Sequence, residues 1–167
     1  MQILSNANKL KVLLGWYQII GGIIGFILTA IIPFNTTLTS FFQIIHLGIG
    51  FLLYSFSIIC GTLLLKSRTK ALTLSLINQF FQILFISILG FGFRYSSGIF
   101  FTIGIELSNG NILFEAGASS WQVEWNWESD SKAIHINIIA LALIILIDNL
   151  RRKYNDTPVS TEIAELD

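Results

Sequence analysis

The 167-residue sequence has few of the residues that build disulfides, rigid turns or charged surfaces: one cysteine, two prolines and only 12% charged side chains. Cys60 has no second cysteine to pair with, so no intramolecular disulfide and no dithiol redox pair can form. The shortage of charge argues against an ordinary soluble domain, in which about a quarter of residues are charged. Neither a glycine-rich phosphate loop nor a basic patch with interleaved aromatics is visible, so nucleic acid is not expected as a partner.

Long apolar runs take the place of the missing charges. Hydrophobic residues make up 53% of the chain, and the mean hydropathy is +0.71. A helix needs about twenty predominantly apolar residues to cross a bilayer. Four runs approach or exceed that length, at about 12–32, 41–65, 71–93 and 133–150. The sequence therefore predicts a single integral membrane domain, residues 1–167, with four transmembrane α-helices.

Basic residues set the orientation predicted for these helices. Eight of the ten Lys and Arg residues fall into three clusters. The clusters are Lys9 and Lys11, then Lys66, Arg68 and Lys70, then Arg151, Arg152 and Lys153. Each cluster flanks run ends that would share one side, and positively charged flanks stay on the cytoplasmic side. We therefore expect a protein of the bacterial inner membrane with both termini cytoplasmic and residues 151–167 as a cytoplasmic tail.

Residues 97–128 depart from the helical pattern and predict a small sheet on the external side. Apolar and other residues alternate over 99–107, and Asn109–Gly110 supplies a two-residue hairpin turn. Counting back from that turn pairs Leu107 with Ile112, Ile105 with Phe114 and Ile103 with Ala116. A second alternation over 121–128 predicts a third strand. The insert is thus expected to be a three-stranded antiparallel β-meander.

The apolar face of this predicted sheet needs cover, because three strands with one apolar face are barely stable alone. The aromatic residues expected on or beside it are Phe101, Phe114, Trp121, Trp125 and Trp127. Tryptophans can anchor a sheet at the lipid headgroups, form the centre of a protein interface, or stack on a carbohydrate. The expected partners are membrane lipid and other membrane or periplasmic protein subunits.

Small and polar residues inside the predicted spans indicate how the helices would pack. They are Gly21, Gly25, Ser57, Gly61, Asn78, Gln79 and Gln82. The spacing of Gly21 and Gly25 allows a second backbone to approach closely, and the amides need hydrogen-bond partners in hydrocarbon. A compact helical bundle is the expected result.

No Ser-His-Asp arrangement and no pair of carboxylates at one depth is visible, so we do not expect an enzyme. The leading hypothesis is a non-enzymatic membrane subunit or scaffold that docks a partner through its external β insert. One alternative is a small channel or transporter formed by a homo-oligomeric bundle. Another is a membrane redox protein that holds a haem or metal between His46 and His135. No haem-attachment or zinc motif accompanies the histidines, so we expect no cofactor.

Overall fold

The computed structural model describes residues 2–35, 40–67, 70–125 and 132–155. Its helices are α1 (Gln2–Asn35), α2 (Phe41–Leu65), α3 (Ala71–Phe80) and α4 (Ile138–Asn155). Its strands are β1 (Leu84–Ile88), β2 (Phe91–Glu106), β3 (Ile112–Trp125) and β4 (Ala133–Asn137). The strands form one antiparallel sheet in the order β1-β4-β2-β3.

The two long helices, α1 and α2, form an antiparallel pair. A Cβ on Gly61 would lie 2.5 Å from the carbonyl oxygen of Gly15, and one on Gly22 would lie 3.0 Å from that of Tyr54. Glycine therefore lets the two backbones approach closely. By length and composition both helices could cross a membrane, with 28 residues in the segment Ala7–Phe34 and 25 in α2. They match the first two predicted spans, 12–32 and 41–65.

The prediction of four transmembrane helices is wrong, and the run 71–93 shows why. Its helix, α3, ends at Phe80, and β1, a hairpin turn and the start of β2 follow. Leu89 and Gly90 form that turn with φ of 51° and 78°, the backbone that a two-residue hairpin requires. A continuous apolar run suits a buried helix and buried strands equally, so the pattern could not separate them.

The fourth predicted span, 133–150, is also divided between two kinds of structure. Its first residues form β4, and α4 begins only at Ile138. The Asn137 side chain ends the strand and caps the helix: its Oδ1 accepts from the backbone N–H groups of Ile139 (3.2 Å) and Ala140 (3.3 Å). An asparagine N-cap satisfies donors that a helix start otherwise leaves unpaired. α4 therefore begins too late to be the span expected over 133–150.

β2 is the central strand of the sheet. One edge of β2 pairs with β3 from Phe91↔Trp125 to Ile105↔Ile112. The opposite edge pairs with β1 near the start of β2 and with β4 near its end, while β1 also pairs with β4. The pairings therefore close a ring through β1, β4 and the two halves of β2. A bulge between Ser96 and Ile99, with Gly98 at φ +103°, provides the bend.

The predicted three-stranded meander is wrong in its strand count and its register. Residues 121–125 continue β3 past the bulge instead of forming a third strand, and 126–131 lie outside the described residues. The observed partners are Ile105↔Ile112, Ile103↔Phe114 and Phe101↔Ala116. Each pair is shifted by two residues from the prediction. The reason is that the loop between the strands comprises residues 107–111, whereas the prediction had a two-residue turn at Asn109–Gly110. A shift of two keeps every side chain on its predicted face.

The sheet packs beside the two long helices, at about the middle of each. The Tyr95 hydroxyl donates to the carbonyl oxygen of Leu53 (2.9 Å), at the centre of α2. The Ser119 hydroxyl donates to that of Gly21 (2.8 Å), near the centre of Ala7–Phe34. At one end of the bundle all four helices meet in a buried cluster, formed by Leu14, Leu64, Ala71 and Ile147.

Candidate docking surface and the polar layer beneath it

A layer of buried polar side chains joins the helices to β2. Ser57 of α2 is at its centre and is fully buried. Its hydroxyl donates to the carbonyl oxygen of Gln18 (3.1 Å) and accepts from the Asn78 side-chain amide (3.1 Å). The Ser97 hydroxyl of β2 lies 2.8 Å away and donates to it. One serine thus links α1, α2, α3 and the sheet.

The amides of α3 complete this layer. The Gln82 side-chain oxygen accepts from the backbone N–H of Ser97 (2.8 Å), a strand group left over at the bulge. The Asn78 side-chain oxygen lies 3.2 Å from the Tyr95 hydroxyl and shares its single proton with the carbonyl oxygen of Leu53. Gln79 is equally buried, and its side-chain amide has no hydrogen-bond partner among the described residues. Asn78 and Gln82 therefore act as ties between helix and sheet.

The glycines singled out in the sequence lie where backbones or rings pack closely. A Cβ on Gly21 would lie 2.6 Å from the Cα of Gly98. Gly25 faces the Tyr54 ring, and Gly61 faces Gly15. Of these three glycines, only Gly61 lies at a direct contact between two helix backbones. Gly21 instead leaves room for the backbone of the β2 bulge.

An apolar surface covers the outer side of the hairpin formed by the second half of β2 and the first half of β3. We call it the hairpin face; its residues are Ile99, Phe101, Ile103, Ile105, Ile112, Phe114, Ala116 and Ala118. They stand opposite one another in pairs across the two strands. The rings of Phe101 and Phe114 stack diagonally, with centroids 6.4 Å apart and planes inclined by 20°. Phe101 is 39% exposed and Phe114 66% exposed, so this face lacks cover within the described part of the chain.

The opposite side of the sheet is partly buried and partly polar. Arg94 of β2 makes a bidentate ion pair with Glu115 of β3, with N···O distances of 2.5 and 2.7 Å. The Arg94 guanidinium carbon also lies 5.1 Å from the centre of the Phe85 ring. Arg94 and Phe85 border a cleft of about 160 Å³, whose lining residues come from all four strands. The arrangement fixes the one charged side chain of the 112–118 segment on the inner side.

His135 borders this cleft as well, next to Gly104 and Thr102. Its Nδ1 lies 3.3 Å from the Thr102 hydroxyl, and a Cβ on Gly104 would overlap the imidazole ring. Burial lowers the pKa of His135 below its ordinary 6.5; the Glu115 carboxylate opposes this shift and the Arg94 charge adds to it. A neutral imidazole is therefore the preferred form in the folded chain.

The two histidines have different surroundings, and nothing described brings them together. His46 packs against the Trp121 ring, with centroids 5.2 Å apart, whereas His135 lies at Gly104. Within residues 2–35, 40–67, 70–125 and 132–155, no group of three or more His, Cys, Asp or Glu residues could hold a metal ion. The arrangement offers no pair of facing imidazoles for a haem.

The predicted tryptophan surface is divided. Trp121 points toward α2: its indole N–H donates to the carbonyl oxygen of His46 (3.2 Å), and Gly50 leaves room for the ring. The backbone of Trp125 ends β3, while Trp127 lies outside the described residues. Their roles in binding a partner stay predictions. Sequence reasoning missed Tyr95 and Arg94, because their partners are distant in the chain and no local pattern marks them.

Comparison of this chain with protein-family models, with curated proteins and with solved structures finds no match. The geometry of the described residues is therefore the basis for the function proposed below.

Proposed function

We propose that this chain is a small, non-enzymatic membrane subunit that docks onto a partner protein subunit through the hairpin face. In this proposal α1 and α2 cross the bacterial inner membrane and both termini are cytoplasmic. The observation that carries it is the uncharged, exposed hairpin face held rigidly on the middle of two long apolar helices.

The placement of the basic residues supports this orientation. The buried cluster of Leu14, Leu64, Ala71 and Ile147 brings the start of α1, the end of α2, the start of α3 and the end of α4 to one end of the bundle. The three clusters of Lys and Arg adjoin these same helix ends. Positive charge gathered at one end is what the cytoplasmic side of a membrane protein carries.

Rigidity supports the docking role. A surface binds a partner more tightly when it is already ordered, because less conformational entropy is lost on binding. The hairpin face is continuous with a strand whose other side is tied by Ser97, Tyr95 and the Arg94 ion pair. Stacked aromatic rings at its centre are typical of the residues that dominate binding energy at protein interfaces.

The test is site-specific photo-cross-linking in native membranes. A photoreactive residue replaces Phe114 in one variant and, as a control, Leu52 of α2 in another; the two positions are 66% and 72% exposed. We expect a discrete protein adduct from position 114, with peptides of a different chain identified by mass spectrometry. Position 52 lies on α2, outside the hairpin face, and is expected to give lipid adducts.

A second pair of variants measures how much the face contributes. Phe114→Ser should reduce the yield of that partner in mild detergent by at least about tenfold, the equivalent of about 1.4 kcal/mol, whereas Leu52→Ser should leave it unchanged. Only lipid adducts at position 114, or equal partner recovery from both serine variants, would contradict docking through the hairpin face.

A further inference from the structure

β3 is the edge strand of the sheet, and its outer backbone groups can be identified from two bonds. The backbone N–H of Glu106 donates to the carbonyl oxygen of Asn111 (2.9 Å), and that of Leu107 donates to Lys132 (2.6 Å). At this end of β2, the backbone N–H and C=O groups of even-numbered residues therefore point toward β3. Those of odd-numbered residues point toward β4. The same alternation turns the odd-numbered residues of β3 toward β2. The groups pointing to the free edge are the N–H and C=O of Ile112, Phe114, Ala116 and Ala118, and no other described residue bonds them.

This edge lacks the features that usually keep edge strands from pairing. The segment Ile112–Ala118 contains no lysine and no proline, and its neighbour across the ladder is regular up to the bulge at Ser96/Ile99. Its one charged residue, Glu115, has its carboxylate 2.7 Å from Arg94 of the same sheet. The charge of Glu115 is thus neutralised within the chain and does not oppose pairing of this edge with another strand.

The depth of the hairpin makes an uncovered edge unfavourable. The Tyr17 hydroxyl donates to the carbonyl oxygen of Ile99 (2.8 Å), so the hairpin starts near the middle of α1. At about 1.5 Å per helical residue, Gly21 lies about 10 Å from the buried cluster at Leu14. Asn137, which pairs with Thr102, lies about 15 Å from the same cluster along α4. Backbone groups at that depth in a bilayer have no water to bond, so an open edge does not occur there.

We propose that β3 pairs edge to edge with β3 of a second copy of this chain, antiparallel about a two-fold axis. The inference rests on the proposed membrane placement, but not on the identity of the subunit that covers the hairpin face. It creates one continuous sheet in a homodimer and joins the two hairpin faces into a wider one.

Self-pairing suits this strand for two reasons. When the two-fold axis passes through a residue position, even-numbered residues stand opposite even-numbered residues, so outward donors meet outward acceptors. Pairing centred on residue 115 places Ile112 opposite Ala118 and Phe114 opposite Ala116, large side chains against small ones. The two Glu115 residues that meet at the axis each keep their own Arg94.

The experiment compares two substitutions at one edge position. Ala116→Pro removes an N–H that no other described residue bonds, whereas Ala116→Ser keeps it; proline is tolerated at strand edges. By light scattering in mild detergent, we expect wild type and Ala116→Ser to have twice the 18.7 kDa mass of one chain after subtraction of the detergent. We expect the mass of one chain for Ala116→Pro, with a cooperative unfolding transition that shows the variant is folded.

A cross-linking arm keeps the test decisive if the proline variant does not fold. In a Cys60→Ser background, a single cysteine at position 116 should give a double-mass adduct with a short bis-maleimide in native membranes. A single cysteine at position 52 should give none. A monomeric wild type without the adduct at position 116, or a folded Ala116→Pro that remains dimeric, would overturn the inference. Photo-adducts between position 114 and a different protein do not depend on the dimer and would still form in that case. Failure of the dimer and failure of the proposed function are therefore distinguishable.

Discussion

Replacing Gly21 by alanine should loosen the sheet from the helices. The added Cβ would lie 2.6 Å from the Cα of Gly98 and 2.7 Å from the carbonyl carbon of Ser97. Carbon atoms in contact prefer a separation of about 3.5–4.0 Å, so β2 would have to move by about 1 Å. Both obstructing atoms belong to the backbone of the bulge, and no rotamer change can relieve the overlap.

The change in the free energy of unfolding caused by Gly21→Ala is the sum of three contributions. Overpacking typically costs about 1–3 kcal/mol, and the rigid contact places Gly21→Ala near 3. Displacing β3 with β2 weakens the hydrogen bond from Ser119 to the carbonyl oxygen of residue 21, worth about 1 kcal/mol. Alanine gains about 1 kcal/mol in helix propensity. The expected net loss in the free energy of unfolding is about 3 kcal/mol.

Thermal unfolding in mild detergent, followed by tryptophan fluorescence, measures this loss. For a chain of this size, about 3 kcal/mol corresponds to a decrease of about 6–12 °C in Tm. Gly48→Ala is the matched control, since it is also a helical glycine but a Cβ there would meet no atom within 4 Å. We expect it to be neutral or stabilising by up to about 1 kcal/mol. A Gly21→Ala variant that melts at or above the wild-type temperature would refute the close-contact reasoning.

Two further predictions concern the cleft on the inner side of the sheet. Arg94→Met should lower stability by about 2 kcal/mol, because it leaves the partly buried Glu115 carboxylate without its partner; Arg152→Met, which removes an exposed pair, should cost no more than about 0.5 kcal/mol. The side chains of Arg94 and Arg152 are 27% and 74% exposed, and equal Tm changes would contradict the difference. For His135, burial lowers the pKa in the folded state below 6.5, so protons bind the unfolded chain more readily. Stability should be fully present above pH 6.5 and decrease as pH falls toward the lowered pKa; a His135→Gln variant with the same pH dependence of Tm would contradict this assignment.

Strong local patterns carried most of what could be predicted. The lengths of the first two apolar runs identified the helices at 12–32 and 41–65 because backbone satisfaction in lipid demands such lengths. The alternation over residues 99–107 identified the hairpin face even though the predicted register was two residues out, since side chains alternate with a period of two. The glycines and amides chosen for helix packing do lie at close contacts, although several of those contacts are with strands.

The remaining features depend on contacts that no short window contains. The run 71–93 is apolar throughout, and its division into α3, β1 and β2 is set by pairing of β1 with β4, about fifty residues later in the chain. The Arg94–Glu115 ion pair crosses the β2–β3 ladder, and Trp121 faces inward because α2 offers the carbonyl oxygen of His46. Tertiary contacts determine each of these three features, and local sequence patterns do not predict them.

The closed ring of β1, β4 and the two halves of β2 has a consequence for the order of folding. β1 and β2 are joined by a tight turn and can pair as soon as both are synthesised, and β3 follows directly. β4 begins only at Ala133, so the second edge of β2 stays open until nearly the whole sheet has been made. Contacts between such distant segments form slowly. Because Asn137 ends β4 and begins α4, closure of the ring and docking of α4 should occur together as one late step. Slowed translation before residue 133 would therefore prolong a state in which one edge of β2 is open.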